Sequence, residues 1–137
     1  MSSTPTFVGT PKIGLQQIVP ADTSTLKTLV TAGASGSKVT SIMAASDDSS
    51  ARIVAYGITR GGTFYQIGAV SVAITSGTDG ATAATNLLSV SQVAGLPIDA
   101  DGQRYLLLQS GDTLQVKTTT TVTSAKTVHL VATYGDF

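Results

Sequence analysis

Residues 51–74 constrain this chain more than any other stretch: ARIVAYGITR, then Gly61-Gly62, then TFYQIGAVSVAI. Val54, Tyr56 and Ile58 alternate with Ala55, Gly57 and Thr59, the period-two pattern of a half-buried strand. A glycine pair between two such runs predicts a tight hairpin turn. The return strand places Tyr65, Ile67 and Ala69 at odd positions but Val70, Val72 and Ile74 at even ones. That slip beside Gly68 predicts a β-bulge, expected to carry the strand across a corner between two sheets. A long bent hairpin of this kind fits a sandwich or barrel.

The rest of the chain repeats the idiom. Strands are predicted over Thr25–Thr31, Lys38–Ser46, Thr113–Thr123 and Thr127–Tyr134, with Arg104–Gln109 as a strand buried on both faces. Turns are predicted at Asp22-Thr23-Ser24, Gly33–Ser37, Asp47–Ser50, Asp99–Gly102 and Ser110–Asp112. The longest irregular stretch follows Ile74; within it Ala81–Val93 could hold a short helix with Leu87, Leu88 and Val93 inward. Composition agrees with this reading. All eight acidic residues are Asp, so the commonest helix-surface residue is missing. Ser and Thr make up roughly a quarter of the chain, above globular usage. The expected fold is all-β: a single antiparallel β-sandwich of about eight strands, jelly-roll-like, with an immunoglobulin-like sandwich as the alternative.

Residues 1–20 read as an N-terminal arm and 21–137 as the sandwich domain. Three of the four prolines, Pro5, Pro11 and Pro20, punctuate the arm, and proline cannot donate to a ladder. The arm is nonetheless apolar, with Phe7, Val8, Ile13, Leu15 and Ile18 as candidate partner-binding residues. Two readings stand: an edge strand folded back over about Lys12–Val19, or a segment reaching a neighbouring subunit or partner. On the second reading, a chain starting at Pro20 still folds.

Eight basic and eight acidic side chains cancel, so no basic footprint suggests nucleic acid. Without cysteine there is no disulfide framework and no thiolate metal site. No apolar run approaches the ~20 residues of a membrane helix. MSSTPTFVGTPKIG lacks the features of a signal peptide, and the expectation is a soluble chain made in a cytoplasm. Charged residues are only 12% of the chain, about half the usual ~25%. A surface so poor in charge suits packing against other protein, because little needs desolvating.

No catalytic constellation emerges. His129 is the only imidazole, no GxSxG elbow accompanies it, and it reads as a solvent-facing or interface strand residue. Asp99-Ala100-Asp101-Gly102 opens like a calcium loop, but the motif's terminal Glu is missing, and Asp capping a glycine turn is simpler. Asp47-Asp48 reads as a solvated like-charge pair. Arg60-Gly61-Gly62 and Gly33–Ser37 lack the Lys-Ser/Thr ending of a phosphate loop. Thr118–Thr121 reads as a threonine ladder on a strand surface. No cofactor, metal or enzymatic activity is expected.

The segment SKVTSIMAASDDSSARIVAYGITRGGTFYQIGAVSV, then GTDG, then DGQRYLLLQSGDTLQVKTTTTVTSAKTVHLVATYGDF, resembles the decoration, or cement, proteins of tailed-bacteriophage capsids. The resemblance covers roughly residues 37–137 and includes no catalytic signature. It implies a virion protein on the capsid exterior, made in the host cytoplasm, with the major capsid protein as partner. It further implies binding at capsomer junctions of an expanded shell, and self-association as a dimer or trimer. Neither nucleic acid nor membrane is implied as a partner. The alternatives from other classes are a receptor- or carbohydrate-binding module of a phage fibre or adhesin, and a tail-tube or head-completion subunit.

Overall fold

The computed structural model describes residues 9–89 and 93–137. Among these described residues nine strands appear in chain order: β1 (Thr10–Ile18), β2 (Lys27–Thr31), β3 (Ser37–Ser46), β4 (Arg52–Arg60), β5 (Thr63–Val72), β6 (Thr85–Asn86), β7 (Leu106–Leu108), β8 (Thr113–Thr118) and β9 (Val128–Asp136). They form two antiparallel sheets. One runs β1-β9-β3-β6, with β7 also on β3; the other runs β2-β8-β4-β5.

This order follows from folding one long ribbon. β4 pairs with β5, β3 with β6 and β7, β2 with β8, and β1 with β9. Each pair lies outside the previous one in sequence, so the chain is a double strand whose innermost turn is Gly61-Gly62. Both glycines have positive φ, 60° and 81°, the mirror-image turn that matches strand twist. Rolled up, such a ribbon places its pairs alternately in two sheets, which is a jelly roll. The immunoglobulin-like alternative is thereby set aside.

β6 and β7 are two pieces of one interrupted strand. Both run antiparallel to β3, β6 opposite Met43–Ala44 and β7 opposite Ser37–Val39. The long irregular stretch is therefore an insertion into a strand. Among its described residues there is no α-helix, contrary to the expectation for Ala81–Val93; residues 90–92 lie outside the described set. Side chains compete for the backbone here. Asp79 accepts the Ala81 and Thr82 N–H groups at 2.8 and 2.7 Å, and Asn86 accepts that of Leu88 at 3.2 Å. Leu87, Leu88 and Val93 do face inward.

The core lies between the sheets. Ile18, Ile42, Val54, Tyr56, Leu114, Val116, Val128 and Leu130 are all buried. Tyr56 keeps its hydroxyl satisfied by donating to the Leu87 carbonyl at 3.0 Å. Stretch 1–20 is divided by the structure. Phe7 and Val8 lie outside the described residues, whereas Thr10–Ile18 pairs along β9 from Asp136 to Val128. A chain starting at Pro20 would lose this strand and the buried Ile18.

Four local expectations need correction. The bulge is present, because the β4–β5 register shifts between Tyr56/Gly68 and Gly57/Gln66, leaving Ile67 extra. It bends β5 within one sheet, however, and carries it across no corner. β7 is not buried on both faces: Leu106 and Leu108 are buried but Leu107 is 52% exposed, since only the inner face is covered. The strand predicted to run to Thr123 stops at Thr118. Thr118 is buried and Thr119–Thr121 lie beyond the strand, so they form no surface ladder.

Candidate protein-docking face

Strand parity decides which side chains the β1-β9-β3 sheet turns outward. On β1 the even positions Gly14 and Ile18 are buried, so Ile13 and Leu15 point to solvent, at 65% and 70% exposure. The registers then build three rows across the outer face. Leu15 lies beside Val131 and Met43, Ile13 beside Thr133 and Ser41, and Gln17 beside His129 and Ala45. These rows contain no Asp, Lys or Arg. Lys38, one row further on, is held 4.7 Å from the Tyr105 ring centroid. A shallow groove of about 460 Å³ runs between β1 and β9, lined by Leu15, Gln17, His129 and Val131 among others.

Exposed apolar residues scattered singly are ordinary, whereas Ile13, Leu15, Val131 and Met43 adjoin one another across three strands. Strand spacing of ~4.8 Å and a rise of ~3.4 Å per residue give these rows roughly 250 Å². A stable protein pair buries about 800 Å² on each side. Alone, the face suits weak, repeated contact.

Of the arm residues singled out from sequence, Ile13 and Leu15 belong to this face. Ile18 sits in the core with none of its surface exposed. Sequence reading missed Met43 and Val131; their alternation with the buried Ile42 and Leu130 was the available signal.

The other polar candidates have structural roles. His129 is exposed on this outer face. Asp99 caps its turn, accepting the N–H groups of Asp101 and Gln103, both at 2.9 Å. The Asp47-Asp48 pair is only half solvated as expected: Asp47 is exposed, Asp48 is not. Asp47 accepts the Thr127 N–H at 2.8 Å, and Asp48 is fully buried. Asp48 takes bonds from Arg52 Nε at 2.8 Å, Ser50 N–H at 2.9 Å, and Thr123 N–H and Oγ1 at 2.9 and 2.7 Å. Burial pushes its carboxyl up, but the Arg52 guanidinium and the Thr123 and Ser50 donors outweigh that and hold it well below the carboxylate range. Arg60 grips Asp112 through two parallel bonds, 2.6 and 2.7 Å, and that guanidinium lowers the Asp112 carboxyl against its burial. Asp79, held by the Thr82 and Ala81 amides, is lowered to about 2.

Asp22, Asp48, Asp79, Asp112 and Asp136 are all held below the ordinary carboxylate range by the donors around them. Among the described residues, no three metal-ligating side chains gather.

No protein-family model matches the chain, and no curated protein matches it. One solved structure that is similar, from the cyanophage Pam1 capsid asymmetric unit, is 15% identical with a TM-score of 0.48, covering 100% of this chain and 92% of that one. So distant a likeness carries no argument about this chain.

Proposed function

We propose that this protein is a non-enzymatic component of a tailed-phage virion that seats on the exterior of the expanded capsid and stabilises it. The observation that carries the proposal is the outer face of the β1-β9-β3 sheet, with Ile13, Leu15, Met43 and Val131 held on a rigid jelly roll. The resemblance of residues 37–137 to capsid decoration proteins supplies the class of partner, the major capsid protein.

Burying an exposed aliphatic side chain contributes about 1.5–3 kcal/mol. The loss of translational and rotational freedom on docking offsets much of that sum, so each copy binds modestly. On a shell the same contact recurs at every site. A copy placed over a capsomer junction touches two neighbours and gains from effective concentration. Any protein that binds only the expanded arrangement stabilises it by mass action. Net neutrality suits the outside of a shell better than contact with packaged DNA.

The test is co-sedimentation of the purified protein with expanded and unexpanded capsids. Binding to expanded particles alone is expected. Binding to neither, together with retention on a glycan array, would replace this reading with the adhesin one.

A further inference from the structure

The borders of the two sheets are unequally protected. At one corner β1 and β2 close on each other. A Cβ on Gly14 would lie 2.3 Å from the Leu29 carbonyl oxygen. Gln16 Nε2 donates to the Thr28 carbonyl at 3.0 Å, and Lys27 Nζ to the Gln17 carbonyl at 2.6 Å. At the opposite border of that sheet the chain is broken into the short β6 and β7. The remaining border is β5, which is ten residues long and, among the described residues, pairs only with β4. Val93 packs against Gly68, but among the described residues no loop backbone bonds to residues 63–72.

Long edge strands are normally blunted by lysine, proline or inward charge. TFYQIGAVSV contains none of these; only the bulge at Ile67 interrupts it. The half before the bulge, Thr63–Gln66, carries Tyr65 at 60% exposure. Beside it lies a hollow of about 280 Å³ lined by Ile58, Arg60 and Tyr65. The Arg60 guanidinium is fixed there by its two bonds to the buried Asp112.

We propose that β5 pairs antiparallel with β5 of a second copy over Phe64–Gln66, Tyr65 lying at the two-fold axis and each Tyr65 entering the other's hollow. A neutral strand meets its own copy without like-charge opposition, and a two-fold contact lets one hollow and one aromatic serve both sides. Tyrosine beside a preorganised arginine is the composition of an interface anchor. The two four-stranded sheets then become one of eight. This inference is independent of capsid binding.

Analytical ultracentrifugation of the isolated protein tests it. The expected result is a concentration-dependent monomer–dimer equilibrium. Tyr65→Ala should weaken it at least tenfold, as should Gln66→Lys, which adds a charge to each pairing edge. Both sites are exposed, and unchanged circular dichroism confirms folding. Leu107→Asp, an exposed position in the other sheet, should leave the dimer intact. A monomer at all concentrations up to millimolar, a trimer, or a dimer that survives Tyr65→Ala and Gln66→Lys would overturn it. So would a dimer abolished by Leu15→Asp but untouched by Tyr65→Ala.

Discussion

Replacing Asp48 with alanine removes a carboxylate with no exposed side-chain surface, and four donors lose their acceptor: Arg52 Nε, the Ser50 N–H, and both the N–H and hydroxyl of Thr123. Breaking a buried ion pair from one side costs about 3–5 kcal/mol, because the remaining charge stays uncompensated. Arg52 is 14% exposed, and its other bonds, to Thr120 and Thr123 at 3.0 and 2.8 Å, keep it from swinging into water. For a chain of this length each kcal/mol moves the Tm by roughly 3–4 °C, so thermal unfolding at pH 7 should shift down by roughly 10–20 °C. The pH dependence gives a second check. A carboxyl held low in the folded state stabilises fully above its unfolded value near ~4, and that contribution is lost as pH falls toward the folded value. Wild-type stability should therefore fall more steeply than the variant's on acidification below about pH 4. In a double-mutant cycle, adding Arg52→Ala should cost less than the sum of the singles. A Tm lowered by less than about 3 °C, with an unchanged acid profile, would refute the assignment of Asp48 as the tie between the β3–β4 turn and the β8–β9 loop.

Other changes have defined expectations. Gly57→Ala places a Cβ 2.1 Å from the Tyr65 carbonyl oxygen at the bulge and should cost about 2–3 kcal/mol in urea unfolding. Tyr56→Phe strands the Leu87 carbonyl and should cost about 1–2 kcal/mol; a neutral result would mean another donor reaches that oxygen. Leu15→Asp should leave the Tm within about 2 °C, since the side chain is exposed, while abolishing particle binding in co-sedimentation.

The ribbon's inner turn was legible because hairpin chemistry is local. Gly61-Gly62 and the alternation through Val54, Tyr56 and Ile58 involve neighbours in sequence, and so does the slip at Gly68. The jelly roll was reachable by counting strands, but the nesting of pairs that proves it depends on contacts such as Thr10 with Asp136. Asp48 looked solvated because nothing in DDSS reveals that Arg52, at the start of β4, and Thr123, in the β8–β9 loop, converge on it. Leu106–Leu108 looked doubly buried because an apolar run carries no parity. The threonine run concealed its strand end for a similar reason: four identical residues give no signal where pairing stops. For the docking face, Ile13 and Leu15 were visible as apolar residues of the arm. Their union with Val131 and Met43 needed the register across three strands.

The central claim is that the outer face of the β1-β9-β3 sheet is the surface laid against the shell. Electron cryomicroscopy of expanded capsids decorated with the purified protein tests it most directly. The expected density has Leu15, Val131 and Met43 against the major capsid protein while the β5 edge points away from the shell floor. Density with the β2-β8-β4-β5 sheet against the capsid, or with this face open to solvent, would contradict it.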